Sequence, residues 1–212
     1  MSNLREVRIR DFVRKQDEIV IPNIAGMKGR VRITGFDISR KSSKLLHDDS
    51  NLIVYVGREW VQEKIFNVDN GSTPTNNTHG IYWASFGSGG APASDPLNPT
   101  PPTNVDTGLA SEIVINSSNA NYADAGKKYP VWGNTEFQQD GANDNRYLIT
   151  KITLTLDEND ANGENINEAA LWISESYDPS TASQFYLFAR ATFPTIAKTS
   201  SLVLQIEWYI FS

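Results

Sequence analysis

The sequence contains no cysteine, which excludes a disulfide framework, thiolate metal ligands and a cysteine nucleophile. It contains only two histidines, His47 and His79. It has no Gly-x-Ser-x-Gly nucleophile motif and no phosphate-binding Gly-x-x-x-x-Gly-Lys loop. The glycines of "FGSGGAP" are therefore interpreted as a turn, and a catalytic role for Ser85 or Ser88 has no motif behind it. These absences predict a protein that is not an enzyme and needs no cofactor.

Long apolar runs are also missing. The N-terminal stretch "MSNLREVRIRDFVRK" has no apolar core typical of a signal peptide, and no apolar run is long enough to cross a membrane, so no membrane partner is expected. Charged residues make up 21% and hydrophobic residues 39%, which is too apolar for a disordered chain. At 212 residues the chain is long enough for one sizeable domain, and a single domain over residues 1–212 is predicted.

The net charge of −6 is distributed unevenly. Residues 1–64 hold 13 of the 19 Lys and Arg but 9 of the 25 Asp and Glu, a balance of +4, whereas the remainder carries −10. A nucleic-acid arm is one interpretation of the basic block, but its interspersed acids favour local pairing instead. A third interpretation is that the unlike parts attract neighbouring copies of the same chain.

Strand periodicity dominates the chain. "GRVRITGFDIS", "NLIVYVGREW", "RYLITKITLTL", "INEAALWIS", "FYLFARATF" and "SLVLQIEWYIF" all favour strands, and no long helical period is present. Asn162-Gly163 predicts a hairpin turn. Phe185–Phe193 and Leu202–Phe211 are predicted to be adjacent antiparallel strands connected by Pro194–Ser201. The predicted fold is all-β, an antiparallel β-sandwich.

The composition changes between residues 67 and 145, where Asn, Gly, Ser, Thr and Pro dominate. This segment is predicted to be a loop-rich insertion, with residues 70–78 and 92–106 as surface loops because proline cannot donate to a central strand. Its aromatic residues suggest an ordered segment that contacts a partner or a sugar. The predicted interface residues are Tyr82, Trp83, Phe86, Trp132, Tyr209 and Phe211. The predicted core residues of the last strand are Leu204, Ile206, Trp208 and Ile210.

One acidic stretch, "DENDANGENINE", is a candidate metal site because carboxylates and amides surround Gly163. The pattern fails the EF-hand motif at two decisive positions, since Glu158 replaces the first Asp and Ala169 falls where a bidentate Glu is required. A turn is the favoured interpretation, with Asp157, Asp160 and Asn162 as a weak candidate loop and no metal predicted. His47-Asp48-Asp49 is likewise interpreted as a solvated turn.

Three stretches carry a resemblance. "INEAALWIS" and "FARATFPTIAKTSSLVLQIEWYIF" resemble a C-terminal signature of tailed-bacteriophage virion structural proteins, and "WASFGSGGAPASDPLNPTPPTNVDTGL" resembles a loop in similar phage proteins. The resemblance implies a non-enzymatic subunit of a ring or complex in the neck, collar, tail or baseplate. Its partners would be copies of itself and other phage structural proteins, and it would be assembled in the host cytoplasm and located in the virion. A carbohydrate-binding adhesin is the alternative, and a hydrolase with a carboxylate pair is a third.

Overall fold

The computed structural model describes residues 28–54, 56–58, 61, 80–115, 122–123, 127–128, 131–140, 145–176, 178 and 181–211. Ten strands run through this part of the chain, and every pairing between them is antiparallel. They are β1 Lys28–Asp37, β2 Ser42–Ile53, β3 Gly80–Gly87, β4 Tyr122–Ala123, β5 Lys127–Lys128, β6 Val131–Asp140, β7 Asn145–Leu156, β8 Asn165–Ser174, β9 Phe185–Ala197 and β10 Leu202–Phe211. The all-β prediction is confirmed. Among the described residues, no helix is long and apolar enough to span a membrane.

The strands are hydrogen-bonded in the order β4-β5-β3-β8-β9-β2-β1-β10-β7-β6. Only Leu52 and Ile53 of β2 pair with β9, so this short ladder joins two parts of the sheet. We call β2-β1-β10-β7-β6 half-sheet A and β4-β5-β3-β8-β9 half-sheet B. The sandwich arrangement of the two half-sheets stays a prediction.

One hydrophobic core is shared by the two half-sheets. Half-sheet A contributes Val31, Ile152, Leu156 and Trp208, among others, and half-sheet B contributes Phe86, Ile166, Leu171 and Phe193. Since both half-sheets turn one face toward the same core, their other faces point away from it. On β10, alternation buries Leu204, Ile206, Trp208 and Ile210, the four residues assigned to the core from the sequence.

A smaller second cluster covers the outer face of half-sheet B. Trp83, Ala170, Trp172, Leu187 and Val54 are buried there, with Leu109 and Phe185 packed against them. Consequently β8 is buried on both faces, which explains why "INEAALWI" reads as an almost continuous apolar run.

The predicted pairing of β9 with β10 was wrong. β9 pairs with β8 and β2, whereas β10 lies between β1 and β7 in the other half-sheet. The predicted hairpin at Asn162-Gly163 was also wrong, because the turn leads from β7 in half-sheet A to β8 in half-sheet B. Both connections cross between the half-sheets. The sequence does not show this, because alternation and turn residues do not specify which strand becomes the partner.

Pro194 does not end β9, contrary to the prediction. Glu168 pairs with Thr192 and Ile166 pairs with Ile196, so Phe193–Thr195 lie opposite Asn167 alone. This bulge needs no amide from Pro194. The next amide, that of Thr195, donates to the carbonyl oxygen of Pro96 at 2.8 Å instead of to the ladder.

Other predictions are corrected near β2. The run "NLIVYVGREW" is a strand only as far as Ile53, and residues 56–58 are helical. His47, Asp48 and Asp49 belong to β2 and not to a solvated turn. Residues 92–106 form a mainly exposed loop outside the strands, as predicted, whereas residues 70–78 and His79 lie outside the described part of the chain.

Candidate functional site

The central feature of half-sheet B is a fully buried carboxylate, Glu168, in the middle of β8. It is 0% exposed and lies in the "INEA" motif. Arg190 of β9 donates two hydrogen bonds to Glu168 Oε2, from Nε at 3.1 Å and from Nη2 at 2.6 Å. A third guanidinium nitrogen, Nη1, donates to Asp106 Oδ2 at 2.6 Å. The three residues form an ion cluster that offsets the cost of burying its members.

Glu168 also binds the backbone of residues 88–112, which we call the anchored loop. Its Oε1 accepts from the amides of Gly89 at 3.1 Å and Ser111 at 2.9 Å, and its Oε2 accepts from the amide of Ala110 at 3.1 Å. One carboxylate therefore ties the beginning and the end of the loop to the same strand.

Asn167 provides a second anchor beside Glu168. Its Oδ1 accepts from the amide of Gly90 at 2.6 Å, and its Nδ2 donates to Thr195 Oγ1 at 3.2 Å. A Cβ added at Gly90 would lie 2.3 Å from the carbonyl oxygen of Asn167, so only glycine permits this approach. The glycines of "FGSGGAP" thus serve close packing of the loop against β8.

The charge state of the cluster is set by its hydrogen bonds. Burial alone would raise the pKa of Asp106, but bonds from the hydroxyl and amide of Thr103 and from Arg190 lower it below the ordinary value. Burial alone would lower the pKa of Arg190, but Asp106 and Glu168 raise it. Asp106 and Arg190 are thus stabilised in their ionised forms.

The anchored loop presents apolar side chains outward although its ends are fixed. Leu97 is 71% exposed and Val105 is 81% exposed. At the same time Leu109 packs inward against the second cluster with Trp172. Because binding residues are often carried by loops that a rigid scaffold holds in place, the anchored loop is a candidate contact surface.

The predicted interface aromatics occupy different positions. Trp83 and Phe86 are 0% and 1% exposed, so the interface interpretation was wrong for these two residues. Trp83 Nε1 donates to the carbonyl oxygen of Ser176 at 2.9 Å, and Phe86 belongs to the main core. Tyr82 and Tyr209 are half-buried, and the side chains of Trp132 and Phe211 lie outside the described part of the structure. Trp83 is therefore not available to a sugar-binding platform.

The acidic turn at residues 157–164 holds a cation of the chain itself. Lys198 is 1% exposed, and its Nζ donates to the carbonyl oxygen of Asp157 at 2.8 Å, to Asn162 Oδ1 at 3.2 Å and to the carbonyl oxygen of Thr199 at 3.0 Å. Asp160 is buried and Oδ2 accepts from the amide of Asp157. Among the described residues, no group of three His, Asp or Glu side chains is arranged to hold a metal.

The side chains considered for catalysis have structural contacts. Ser85 is buried and its hydroxyl oxygen accepts from Trp172 Nε1 at 2.7 Å. His47 lies against Phe193 with ring centroids 5.5 Å apart, and burial lowers the pKa of His47. Asp48 accepts hydrogen bonds from Arg30 and Arg32 on the outer face of half-sheet A. For Ser85 and Asp48, these hydrogen bonds give the side chains a role within the fold.

Sequence reasoning did not assign Glu168, Arg190, Asn167 or Lys198 as site residues. A signal was present, because Glu168 and Arg190 are single charges within apolar strand runs, and such charges are rarely buried unless they are paired. Their partner Asp106 could not be identified, because it lies in a loop whose path the sequence does not specify. No protein family model, no curated protein and no solved structure matches this chain.

Proposed function

We propose that this protein is a non-enzymatic structural subunit of a tailed-phage virion, part of a homo-oligomeric ring or complex in the head–tail neck, tail or baseplate region. The observation that carries the proposal is the meeting of the three phage-like stretches at one place. Glu168 comes from "INEAALWIS", Arg190 from "FARATF" and Asp106 from "NVDTGL", and their side chains form the buried ion cluster. The stretches that carry the resemblance therefore make one structural unit.

The physical role of that unit supports a function based on contact. Its buried charges hold the backbone of the anchored loop, while Leu97 and Val105 project outward. A loop fixed before binding loses little conformational entropy on association, which favours a stable assembly. The residues of the ion cluster therefore hold the anchored loop in position.

The test measures whether the chain assembles. Light scattering and negative-stain electron microscopy are applied to the protein purified alone and to the protein co-expressed with the other structural proteins of the virion. We expect a homo-oligomer with a closed outline, or incorporation into a larger complex. A monomer in both situations would overturn the proposal. A glycan array run on the same preparation separates the two readings, since glycan binding without assembly would favour the adhesin.

A further inference from the structure

The two half-sheets are joined at a fork between β2 and β9. The joining ladder contains only the residue pairs at Leu52 and Ile53 of β2, and next to it the amide of Val54 donates to the carbonyl oxygen of Phe188 at 3.1 Å. Before Leu52, β2 runs along β1, whereas after Arg190, β9 runs along β8. The two strands therefore diverge from the ladder, and we call this place the fork.

His47 is the residue of β2 whose side chain reaches across the fork. It pairs with Ile33, which is buried in the main core, so His47 lies on the inner face of β2. Its ring packs against Phe193 of β9, with the ring centroids 5.5 Å apart and the planes tilted by 42°. Phe193 is itself buried in the main core. The imidazole ring is therefore a contact between the two half-sheets, five residues before the ladder.

Two side chains on this face of β2 carry buried polar atoms. Nε2 of His47 and both amide atoms of the Asn51 side chain are buried, and they have no hydrogen-bond partner within the part of the chain that the structure describes. Asn51 pairs with Gly29 and packs directly over it, since a Cβ added at Gly29 would collide with Asn51 Oδ1. A buried polar atom without a partner costs free energy, so the fork is a weak point of the fold.

Protonation of His47 would increase this cost. The charged imidazole ring has an N–H donor at each nitrogen, so Nε2 would become a buried donor without an acceptor among the described residues. From the strands that border the ring, β1 presents Ile33 and β9 presents Phe193, and neither side chain can accept a hydrogen bond or titrate. A charged group in this position is much less favourable than in water.

The carboxylates near His47 come from β2 itself. Asp49 is exposed, and Asp48 lies on the outer face of half-sheet A, where Arg30 and Arg32 donate hydrogen bonds to it. Both aspartates favour the charged ring, but burial outweighs them and lowers the pKa of His47 below its ordinary value. The closed fork thus favours the neutral ring.

We infer that the fork is an acid-sensitive hinge, in which protonation of His47 separates β2 from β9 while the rest of the fold stays closed. In the open state the imidazole ring and the Asn51 amide form hydrogen bonds with water, which offsets the lost contact with Phe193. Arg190 stays with half-sheet B, because it donates to Glu168 and Asp106. The anchored loop therefore keeps its position when the fork opens.

The direction of the pH effect follows from proton binding in the two states. In the open fork, His47 is in water and has its ordinary pKa of 6.5, whereas the pKa is lower in the closed fork. The closed state binds fewer protons, so it is fully favoured above that value and loses stability as the pH falls below it. Because one proton is involved, the opening equilibrium rises by at most about tenfold per pH unit.

Amide hydrogen exchange of the wild-type chain tests the hinge. Exchange is followed by NMR between about pH 7.5 and pH 5.5 and expressed as protection relative to an unstructured peptide at the same pH. Protection of the Val54 amide should fall several-fold as the pH is lowered, whereas the amides of Ala110 and Ser111, which donate to Glu168, should keep theirs. Unchanged protection at Val54, or an equal loss at all three amides, would overturn the inference.

A pair of histidine variants assigns the response. His47→Gln keeps a polar side chain but cannot take up the charge, so protection of the Val54 amide should no longer depend on pH. The matched control is His79→Gln, because His79 is the other histidine of the chain, and this variant should respond as the wild type does. A response that persists in His47→Gln would show that another group titrates, and the hinge assignment would be wrong.

A further measurement requires no substitution at His47. The wild-type chain has two imidazole signals, and the spectrum of His79→Gln identifies which of them belongs to His47. This signal should titrate below pH 6.5, in the same pH range in which the Val54 amide loses protection. A His47 ring that titrates at or above 6.5 has no preference for the open fork, and that result would also overturn the inference.

Discussion

At the residue scale, the fold depends on charges buried within apolar strands. Glu168 accepts hydrogen bonds from three backbone amides and faces Arg190, and Lys198 donates to two oxygens of the acidic turn and to the carbonyl oxygen of Thr199. The hydrogen bonds of each buried charge replace the hydrogen bonds that the group makes to water in the unfolded chain. These directed bonds fix the conformation of a loop that side-chain packing alone would leave with several conformations.

The first prediction concerns Glu168→Gln. The variant leaves Arg190 without its buried partner and weakens the anchors of the loop, so the free energy of unfolding should fall by about 3–5 kcal/mol. Urea denaturation measures the loss, and hydrogen exchange should be faster at the amides of Gly89, Ala110 and Ser111. Glu164→Gln, at an exposed position four residues earlier, is the control and should change little. Equal stability of the two variants would show that the cluster is not an anchor.

A second prediction at this scale concerns Lys198→Met. The substitution keeps much of the buried volume but leaves the oxygens of Asp157 and Asn162 without their donor, which should cost about 1–3 kcal/mol. Chemical denaturation measures this, with the exposed Lys44→Met as control. Addition of calcium or EDTA to the wild type should not move the melting temperature, because the Lys198 ammonium group already binds oxygens of Asp157 and Asn162. A rise of several degrees with calcium would contradict this assignment.

At the scale of elements, β10 and the turn before β9 show how single strands are held. β10 has hydrogen-bonded neighbours on both edges, β1 and β7, and turns Leu204, Ile206 and Trp208 into the core. The turn from β8 to β9 is closed by Glu175, whose carboxylate accepts from the amides of Ser183 and Gln184 and from the hydroxyl of Ser183. Packing and strand pairing stabilise β10, whereas the hydrogen bonds of Glu175 stabilise the turn before β9.

For β10 we predict the effect of Trp208→Ala. The indole is 1% exposed, so its loss should leave a cavity and lower the stability by about 3–5 kcal/mol, against a typical total of about 5–15 kcal/mol. Urea denaturation measures the change, and Gln205→Ala on the half-buried opposite face is the control. Deletion of residues 203–212 should give insoluble protein, since it separates β1 from β7. A soluble truncation that melts cooperatively would contradict the central position of β10.

The turn before β9 gives a pH prediction. Burial alone would raise the pKa of Glu175, but backbone and hydroxyl hydrogen bonds lower it to about 2. Because the pKa is lower in the folded state, the stabilisation is complete above the unfolded value of about 4.5 and is lost as the pH falls toward 2. Melting temperatures between pH 2 and pH 6 measure this effect. Glu175→Gln should make the acid side of the curve shallower, and an unchanged curve would show that the turn does not contribute.

At the scale of the whole molecule, the shared core decides whether the half-sheets behave as one unit. The ladder that joins β2 to β9 contains two residue pairs, but the main core takes side chains from both half-sheets. Neither half-sheet could bury its inner face without the other.

We therefore predict one cooperative unfolding transition, with equal calorimetric and van't Hoff enthalpies. Ile152→Ala in half-sheet A and Ile166→Ala in half-sheet B should both lower the temperature of the same transition, since both side chains lie in the shared core. Differential scanning calorimetry at a concentration below assembly is the measurement. Two transitions, each moved by only one of the variants, would mean that the half-sheets are separate domains.

The sequence by itself determined the all-β class, the strands in the last third of the chain and the exposed proline loop at residues 92–106. Alternation with period two and the missing amide of proline are local properties, so they can be read without a structure. The burial of Leu204, Ile206, Trp208 and Ile210 follows from the same alternation.

Only the tertiary structure decided which strands pair, where Trp83 and Phe86 lie, and what Asp106 binds. β9 and β10 are neighbours in sequence but belong to different half-sheets. The hydrogen-bonding edges of all strands are alike, so the pairing is decided by how the side chains pack in the core. The aromatic residues of a polar segment could equally be exposed or covered, and Trp83 is covered because residues distant in the chain pack over it. The ion cluster joins residues up to 84 positions apart, a distance over which no local pattern carries information.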